Sequence, residues 1–98
     1  MHKVDRPKAR TIIEQALVSR RLDKSVQEYP RLSSMFEAVK WRIARDPFKG
    51  VTRVPDTNPI RYVIRTRPWK AGMVPALTVL YRVTEFEVTI ESLAVKDE

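Results

Sequence analysis

Five basic side chains in the second half of the chain are the residues best suited to bind an anion. They lie on two stretches with strand-like alternation and in the loop after the first stretch: Arg61, Arg65, Arg67, Lys70 and Arg82. Arginine grips phosphate and carboxylate groups with two parallel hydrogen bonds, so such a cluster suits RNA, DNA or an acidic peptide. The same residues also fit the solvated face of a half-covered sheet, and the sequence leaves both interpretations open.

The two tryptophans stand in different settings. Trp69 lies in a loop between basic residues, where it can stack on a base, anchor a protein partner or fold over the edge of the core. We favour partner binding for Trp69. Trp41 lies off the apolar stripe of a predicted helix, and we expect it to flank the core.

Other chemistries lack the residues that they need. The chain has no cysteine, and its single histidine is His2, so the sequence predicts no metal site, no cysteine nucleophile and no serine–histidine triad. We expect no cofactor either. No apolar run approaches the roughly 20 residues of a bilayer span, and the basic N-terminus lacks the apolar core of a signal peptide. We therefore predict a cytoplasmic protein with no membrane partner.

Charge is distributed unevenly along the 98 residues, whose net charge is +7. Residues 1–82 contain 18 Lys or Arg and 7 Asp or Glu, a balance of +11, whereas residues 83–98 contain one Lys and five acids, a balance of −4. A basic body favours an anionic partner such as nucleic acid or an acidic protein. The hairpin acids Glu85, Glu87 and Glu91 either pair with Arg82 or form a solvated face, and we expect the second.

Helical spacing predicts an α-helical hairpin over about residues 8–46. The first helix is expected from Lys8, just after Pro7, to Arg21. One apolar face is formed by Ile12, Ile13, Ala16 and Leu17. Residues 22–25 are then a short connector, which makes the two helices antiparallel neighbours.

The second helix has the clearer boundaries and the more regular apolar stripe. It is expected to begin at Pro30 or Ser34 and to end at Arg45, because Pro47 disfavours helical geometry in the residue before it. The stripe at helical spacing is Leu32, Phe36, Val39 and Ile43.

After Gly50 the apolar period becomes alternating, which predicts strands over about residues 51–95. Short strands are expected at Val51–Val54 and Ile60–Thr66. In the second of these, Arg61 and Arg65 share the face opposite Tyr62, and simple pairing with the next strand would place Arg82 across from them.

A hairpin ends the predicted sheet and turns at Thr84-Glu85. Leu93 is out of phase with Val88 and Ile90, which predicts either a bulge or the end of the strand near Ser92. The resulting fold class is α+β, with a helical hairpin on one face of a three- to four-stranded antiparallel sheet. Residues 1–98 are long enough for one such domain.

Three short segments are similar to those of a known family. Residues 45–50, RDPFKG, resemble a helix-ending NP…G segment, and residues 60–65, IRYVIR, resemble an L/Y-R-I-R strand. Residues 80–83, LYRV, followed by 86–90, FEVTI, resemble a V-I-Y-x-V…x-V-x-I hairpin. Together these segments resemble the RelE/ParE toxin superfamily of toxin–antitoxin systems, known also for plasmid stabilisation.

The resemblance implies a RelE/ParE-like fold, an edge strand before the first helix and an antitoxin partner. That strand would fall on Met1–Arg6. The implied targets are ribosome-bound mRNA or DNA gyrase.

Ribonuclease members of the family carry basic residues on the two middle strands and a proton donor after the last strand. Arg65 matches one of these positions, but Val63 and Thr78 occupy two others, and Lys96-Asp97-Glu98 follow the last strand. Because RNA cleavage needs a positioned proton-transfer group, we carry over no catalytic residue.

Three functions follow as hypotheses. The first is a toxin-like protein that acts through protein binding and pairs with an acidic antitoxin segment near the helix pair and sheet edge. The second is a ribosome-dependent, metal-independent endoribonuclease that uses Arg61, Arg65 and Arg82. The third is a basic module that binds nucleic acid without cleaving it.

Overall fold

A computed structural model describes residues 9–96, which form two helices and one five-stranded mixed sheet. The elements in chain order are β1 (Thr11–Glu14), α1 (Ala16–Glu28), α2 (Leu32–Arg45), β2 (Thr52–Val54), β3 (Arg61–Arg65), β4 (Ala76–Val83) and β5 (Glu87–Lys96). The strands lie side by side in the order β1-β5-β4-β3-β2. The β1–β5 pair is parallel and the other pairs are antiparallel.

The predicted α+β class is confirmed, whereas the prediction of three or four antiparallel strands is wrong. A short parallel strand, β1, extends the sheet beyond the C-terminal hairpin. No helix within residues 9–96 combines the length and the apolar character needed to cross a membrane.

The predicted start of the first helix is wrong, because Ile12 and Ile13 belong to β1. These β-branched residues suit a strand, and Ile12 pairs with Val88 of β5. Helix α1 then begins at Ala16 and continues through the residues expected to be a connector. Its inward side chains are Val18, Leu22 and Val26, while Leu17 is 69% exposed. The alternative edge strand at Met1–Arg6 lies outside the described residues.

Helix α2 agrees well with its predicted pattern. It ends at Arg45 and begins at Leu32, between the two predicted starts. The predicted stripe is buried throughout. These side chains pack against the sheet residues Ile64, Leu77, Val79, Tyr81, Val88, Ile90 and Leu93. The core therefore lies between the helix pair and one face of the sheet, and the opposite face, here called the open face, is turned away from the helices.

Strand β1 is fastened to α2 by an ion-pair network. The Lys40 ammonium of α2 lies 2.6 Å from a carboxylate oxygen of Glu14 and 2.7 Å from one of Glu37. Burial lowers the pKa of Lys40, but hydrogen bonds to the two carboxylates outweigh that effect and leave the pKa raised. The charge of Lys40 is therefore held firmly where α2 crosses β1.

Of the two alternatives predicted near Ser92, the bulge is confirmed, at Glu91, and β5 continues to Lys96. Leu80 pairs with Ser92 while Tyr81 pairs with Ile90, so Glu91 is the extra residue. Because the bulge resets the alternation, Ile90 and Leu93 are both buried against the helices. The turn at Thr84-Glu85 also agrees with the prediction, since β4 ends at Val83.

Candidate functional site

The open face brings together three of the five predicted anion-binding residues. Arg61 of β3 lies directly across from Arg82 of β4, and Arg65 shares their face four residues further along β3. The predicted register of Arg61 and Arg82 is thereby confirmed. At about 3.3 Å per residue, Arg65 lies roughly 13 Å from Arg61 along the strand.

A carboxylate from β5 lies beside two of these arginines. Glu91 accepts a hydrogen bond from Nε of Arg61 at 2.5 Å, and it lies 3.4 Å from Nη1 of Arg82. The hydrogen bond with Glu91 raises the pKa of Arg61. The expectation that Glu91 is solvated is wrong, because its side chain is only 12% exposed. Glu91 follows the inward-facing Ile90 and therefore lies on the open face with the arginines. Two of the five predicted cations are thus already paired.

The other three predicted cations lie at the end of β3 and in the loop that follows it. Arg65, at the end of β3, lies opposite Thr78 and is exposed. Arg67 and Lys70 follow in the loop and are exposed as well. The predicted cluster is thus divided into two parts: Arg61 and Arg82, whose charge Glu91 partly neutralises, and exposed cations around the β3–β4 connection.

Trp69 lies in a well-formed turn of that connection. Its backbone exchanges two hydrogen bonds with Val74, and the Met73 amide donates to the Lys70 carbonyl at 3.0 Å. A Cβ at Gly72 would overlap the indole ring, so only glycine permits this contact. With the Arg31 guanidinium 5.4 Å from the ring centroid, Trp69 is still 52% exposed. Part of the ring therefore covers the turn and part is available to a partner.

The two strand tyrosines, Tyr62 and Tyr81, point towards the helices. The Tyr81 hydroxyl donates a 2.6 Å hydrogen bond to the Pro47 carbonyl. Burial raises the pKa of Tyr81 to about 12. Tyr62 is half-buried and stacks on Tyr81 with ring centroids 6.0 Å apart. The Tyr81 hydroxyl is therefore engaged beneath the sheet and is poorly placed to donate a proton to a ligand on the open face.

A surface that the sequence did not locate lies along β5. Strand β1 pairs only with residues 87–90 of β5. Among residues 9–96, no strand pairs with the same outer edge over residues 91–96. The sheet's opposite edge is β2, which has only three residues. The exposed edge of β5 is thus the longer template for an added strand.

The hydrogen-bond pattern identifies which backbone groups face this edge. Leu77 of β4 directs its amide and carbonyl towards Thr66, on the β3 side. The alternate residue Thr78 therefore directs its groups towards β5, where it opposes Ala94. The residues on either side of Ala94, Leu93 and Val95, consequently direct their backbone groups outwards.

A groove of about 970 Å³ lies between α1 and this edge of β5. Its apolar lining includes Leu17 and Val18 from the helix and Leu93 and Val95 from the strand. Its charged lining is Arg20, Arg21, Lys24, Glu28 and Glu91. Since Glu91 already contacts Arg61 and Arg82, the three helix cations give the groove a positive excess. This α1–β5 groove combines strand-pairing groups, apolar contacts and basic charge.

Sequence reasoning could not have located this groove. It depends on the short pairing of β1, whose residues fit a helical period equally well, and on where the bulge resets β5. The expectation that Trp41 flanks the core was also wrong, because its side chain is 63% exposed. Comparisons with protein-family models, with curated proteins and with solved structures found no match to this chain.

Proposed function

We propose that the chain is a toxin-like component of a type II toxin–antitoxin system that acts through protein binding. The observation that supports this best is the α1–β5 groove, where a basic helix lies beside a strand edge that no strand within residues 9–96 pairs with. Its partner is an acidic antitoxin segment in extended conformation. Strand addition to a sheet edge is a recurrent mode of peptide recognition, with backbone hydrogen bonds for affinity and side-chain pockets for specificity.

The order of elements supports the same proposal. The resemblance to RelE/ParE toxins implies an edge strand before a helix pair and a sheet that closes on a C-terminal hairpin. Strand β1 precedes α1 at the edge of the sheet, and β4–β5 form the closing hairpin. A cytoplasmic location and a target such as DNA gyrase or the ribosome belong to this proposal.

Contacts around the open face favour protein binding over RNA cleavage. Phosphoryl transfer needs free cations and a positioned proton donor. Arg61 and Arg82 are engaged by Glu91, and the Tyr81 hydroxyl is engaged by Pro47. The exposed cations Arg65 and Arg67 can attract RNA, but a guanidinium supplies positive charge and hydrogen-bond donors rather than a proton for transfer.

Inducible expression with growth and mRNA integrity as paired readouts tests the proposal. We expect growth to stop while mRNA remains intact, and we expect co-expression of a small acidic protein encoded beside this chain to restore growth. Growth arrest with ribosome-dependent mRNA cleavage that Arg65→Ala abolishes would instead establish the endoribonuclease. Salt-sensitive nucleic-acid binding without arrest would identify a basic binding module.

A further inference from the structure

Three cations of α1 face the α1–β5 groove without an ionic partner. Arg20, Arg21 and Lys24 line the groove, and all three are exposed. No ion pair within residues 9–96 engages any of them, whereas Lys40 of α2 contacts two carboxylates. The charge of the three α1 cations is therefore available to an external carboxylate.

The acids of the groove do not cancel this charge. Glu91 is held by the arginines of the open face, which leaves Glu28 as the one further carboxylate among the lining residues. Three cations against one such carboxylate leave two positive charges uncompensated. Of the apolar lining, Leu17 is exposed, but Val18 and Leu93 are only 1% and 3% exposed. An occupant of the groove therefore meets mainly positive charge.

The free edge of β5 selects the kind of occupant. The outward backbone groups of Leu93 and Val95 are both donors and acceptors, which a second polypeptide strand matches. A nucleic-acid backbone offers phosphate and sugar oxygens but no N–H donors for the two carbonyls. A second copy of this chain would bring its own α1 cations against the first set, and like charges disfavour that pairing. The occupant is therefore an acidic segment of a different protein.

Strand β1 fixes where this segment can begin to pair. The Gln15 amide donates to the Ile90 carbonyl at 3.2 Å, so the edge is occupied as far as Ile90. Helix α1 starts at the next residue and lines the groove beside β5. Arg21 follows Gln15 by roughly 9 Å of helix, and Leu93 follows Ile90 by roughly 10 Å of strand. The helix cations and the free edge therefore lie at the same level of the groove.

Pairing geometry determines which side chains of the segment meet the cations. Residues opposite each other on neighbouring strands point to the same face of a sheet, whether the strands are parallel or antiparallel. Leu93 and Val95 face the helices, whereas Ala94 opposes Thr78 on the open face. Side chains opposite Leu93 and Val95 therefore enter the groove, and the residue between them lies beside Ala94 on the open face.

We propose that the segment that pairs with this edge carries two carboxylates on alternate residues, Asp/Glu-x-Asp/Glu, both turned towards the cations of α1. The inference rests on the proposed binding mode and adds a sequence pattern to it. Two carboxylates match the two uncompensated positive charges of the groove, and arginine binds a carboxylate with two parallel hydrogen bonds. Carboxylates on adjacent residues would place one of the two on the open face, away from α1.

Two synthetic peptides of the same composition test this pattern. In acetyl-STETETS-amide both glutamates lie on one face of an extended strand, whereas in acetyl-STEETTS-amide they lie on opposite faces. We expect the alternating peptide, at millimolar concentration, to shift the amide NMR resonances of Leu93 and Val95. It should bind about two- to five-fold more tightly than the other peptide, the range for one exposed ion pair. Equal affinities would overturn the pattern but leave the groove as a strand-binding site, and no shift at Leu93 or Val95 with either peptide would overturn both.

A charge exchange supplies the matched control. The variant Arg21→Glu/Lys24→Glu should prefer acetyl-STKTKTS-amide to the alternating glutamate peptide, the reverse of the parent. Arg53→Glu, on β2 at the opposite edge of the sheet, should keep the preference of the parent. An unchanged preference in the α1 variant would overturn the role of its cations. Because these peptides report on the groove alone, their result is distinct from growth arrest, which tests the proposed function.

Discussion

Glu91 is the residue that most changes the interpretation of the basic open face. Its carboxylate contacts Arg61 and Arg82, so it supplies from within the chain the negative charge that a phosphate would otherwise bring. An anion approaching these arginines must compete with a partner that is already held in place. The predicted cationic cluster is consequently weaker as a nucleic-acid site than its composition suggests.

Replacing the Glu91 carboxylate should free Arg61 and Arg82 to bind an external anion. We expect Glu91→Gln to increase retention on a heparin column, because both guanidiniums lose their anionic partner while the side chain keeps its shape. The retention of the double variant Arg61→Gln/Glu91→Gln should return towards that of the parent. Equal retention of parent and Glu91→Gln would show that Glu91 does not restrain anion binding.

Tyr81 should make stability depend on pH in the alkaline range. Burial, its largest influence, raises the pKa of Tyr81 to about 12; nearby Tyr62 and Asp46 act in the same direction and Arg42 opposes them. An unfolded tyrosine titrates near pH 10, so the neutral form is favoured in the folded state. The resulting stabilisation is fully present below about pH 10 and is lost as pH rises towards 12, with an upper bound of about 3 kcal/mol.

The Tyr81→Phe variant separates this effect from the titration of other groups. At neutral pH it should lower the free energy of unfolding by about 1–3 kcal/mol, because the Pro47 carbonyl loses its buried donor. Between about pH 10 and 12 its stability should fall less steeply than that of the parent. Denaturant unfolding at several pH values measures both quantities, and parallel curves for the two proteins would contradict the assigned role of burial.

At the scale of elements, a pattern that repeats over many residues predicted its element well, whereas a pattern of a few residues did not. The α2 stripe from Leu32 to Ile43 repeats over three turns and predicts its element well. Strand β1 has four residues, and Ile12 and Ile13 fit a helical face when joined to Ala16. What decides their conformation is pairing with β5, which is more than seventy residues away in sequence.

The same limit applies to the candidate sites. The alternation of residues along β3 and β4 was sufficient to predict that Arg61 and Arg82 lie opposite each other. The sequence left open whether Glu91 pairs with Arg82 or is solvated, and the α1–β5 groove depends on contacts between β1 and β5, which are distant in sequence. Such contacts leave no local signal in the sequence.

The Lys40 network should couple α2 energetically to β1. In a double-mutant cycle with Glu14→Gln and Lys40→Met, we expect a coupling energy of about 1 kcal/mol, because both side chains are mostly shielded and lie 2.6 Å apart. Thermal or denaturant unfolding supplies the four stabilities. Additive effects would show that the ion pair does not fasten β1 to the helix.

At the scale of the whole molecule, the two edges of the sheet differ in what they offer an added strand. The proposed binding edge is that of β5, where basic side chains of α1 line the α1–β5 groove, whereas the opposite edge is the three-residue strand β2. Charge reversal can distinguish the two edges, because each has its own cations.

Arg21→Glu should weaken binding of the acidic partner, since Arg21 lines the groove and a reversed charge repels an acidic segment. Arg53→Glu makes the same change on β2, at the opposite edge of the sheet, and should have little effect. Both residues are exposed, so neither substitution should disturb the core. Isothermal titration with the acidic protein that restores growth in the expression experiment provides the comparison, and equal affinities for the two variants would argue against the groove.

Amide hydrogen exchange of β5, followed by NMR with and without that acidic protein, tests the central claim most directly. If the partner adds a strand to the sheet, exchange should slow at Leu93 and Val95, whose backbone groups face the outer edge. Protection confined to Thr52–Val54 or to the β3–β4 connection, or no binding at all, would contradict the proposed mode of action.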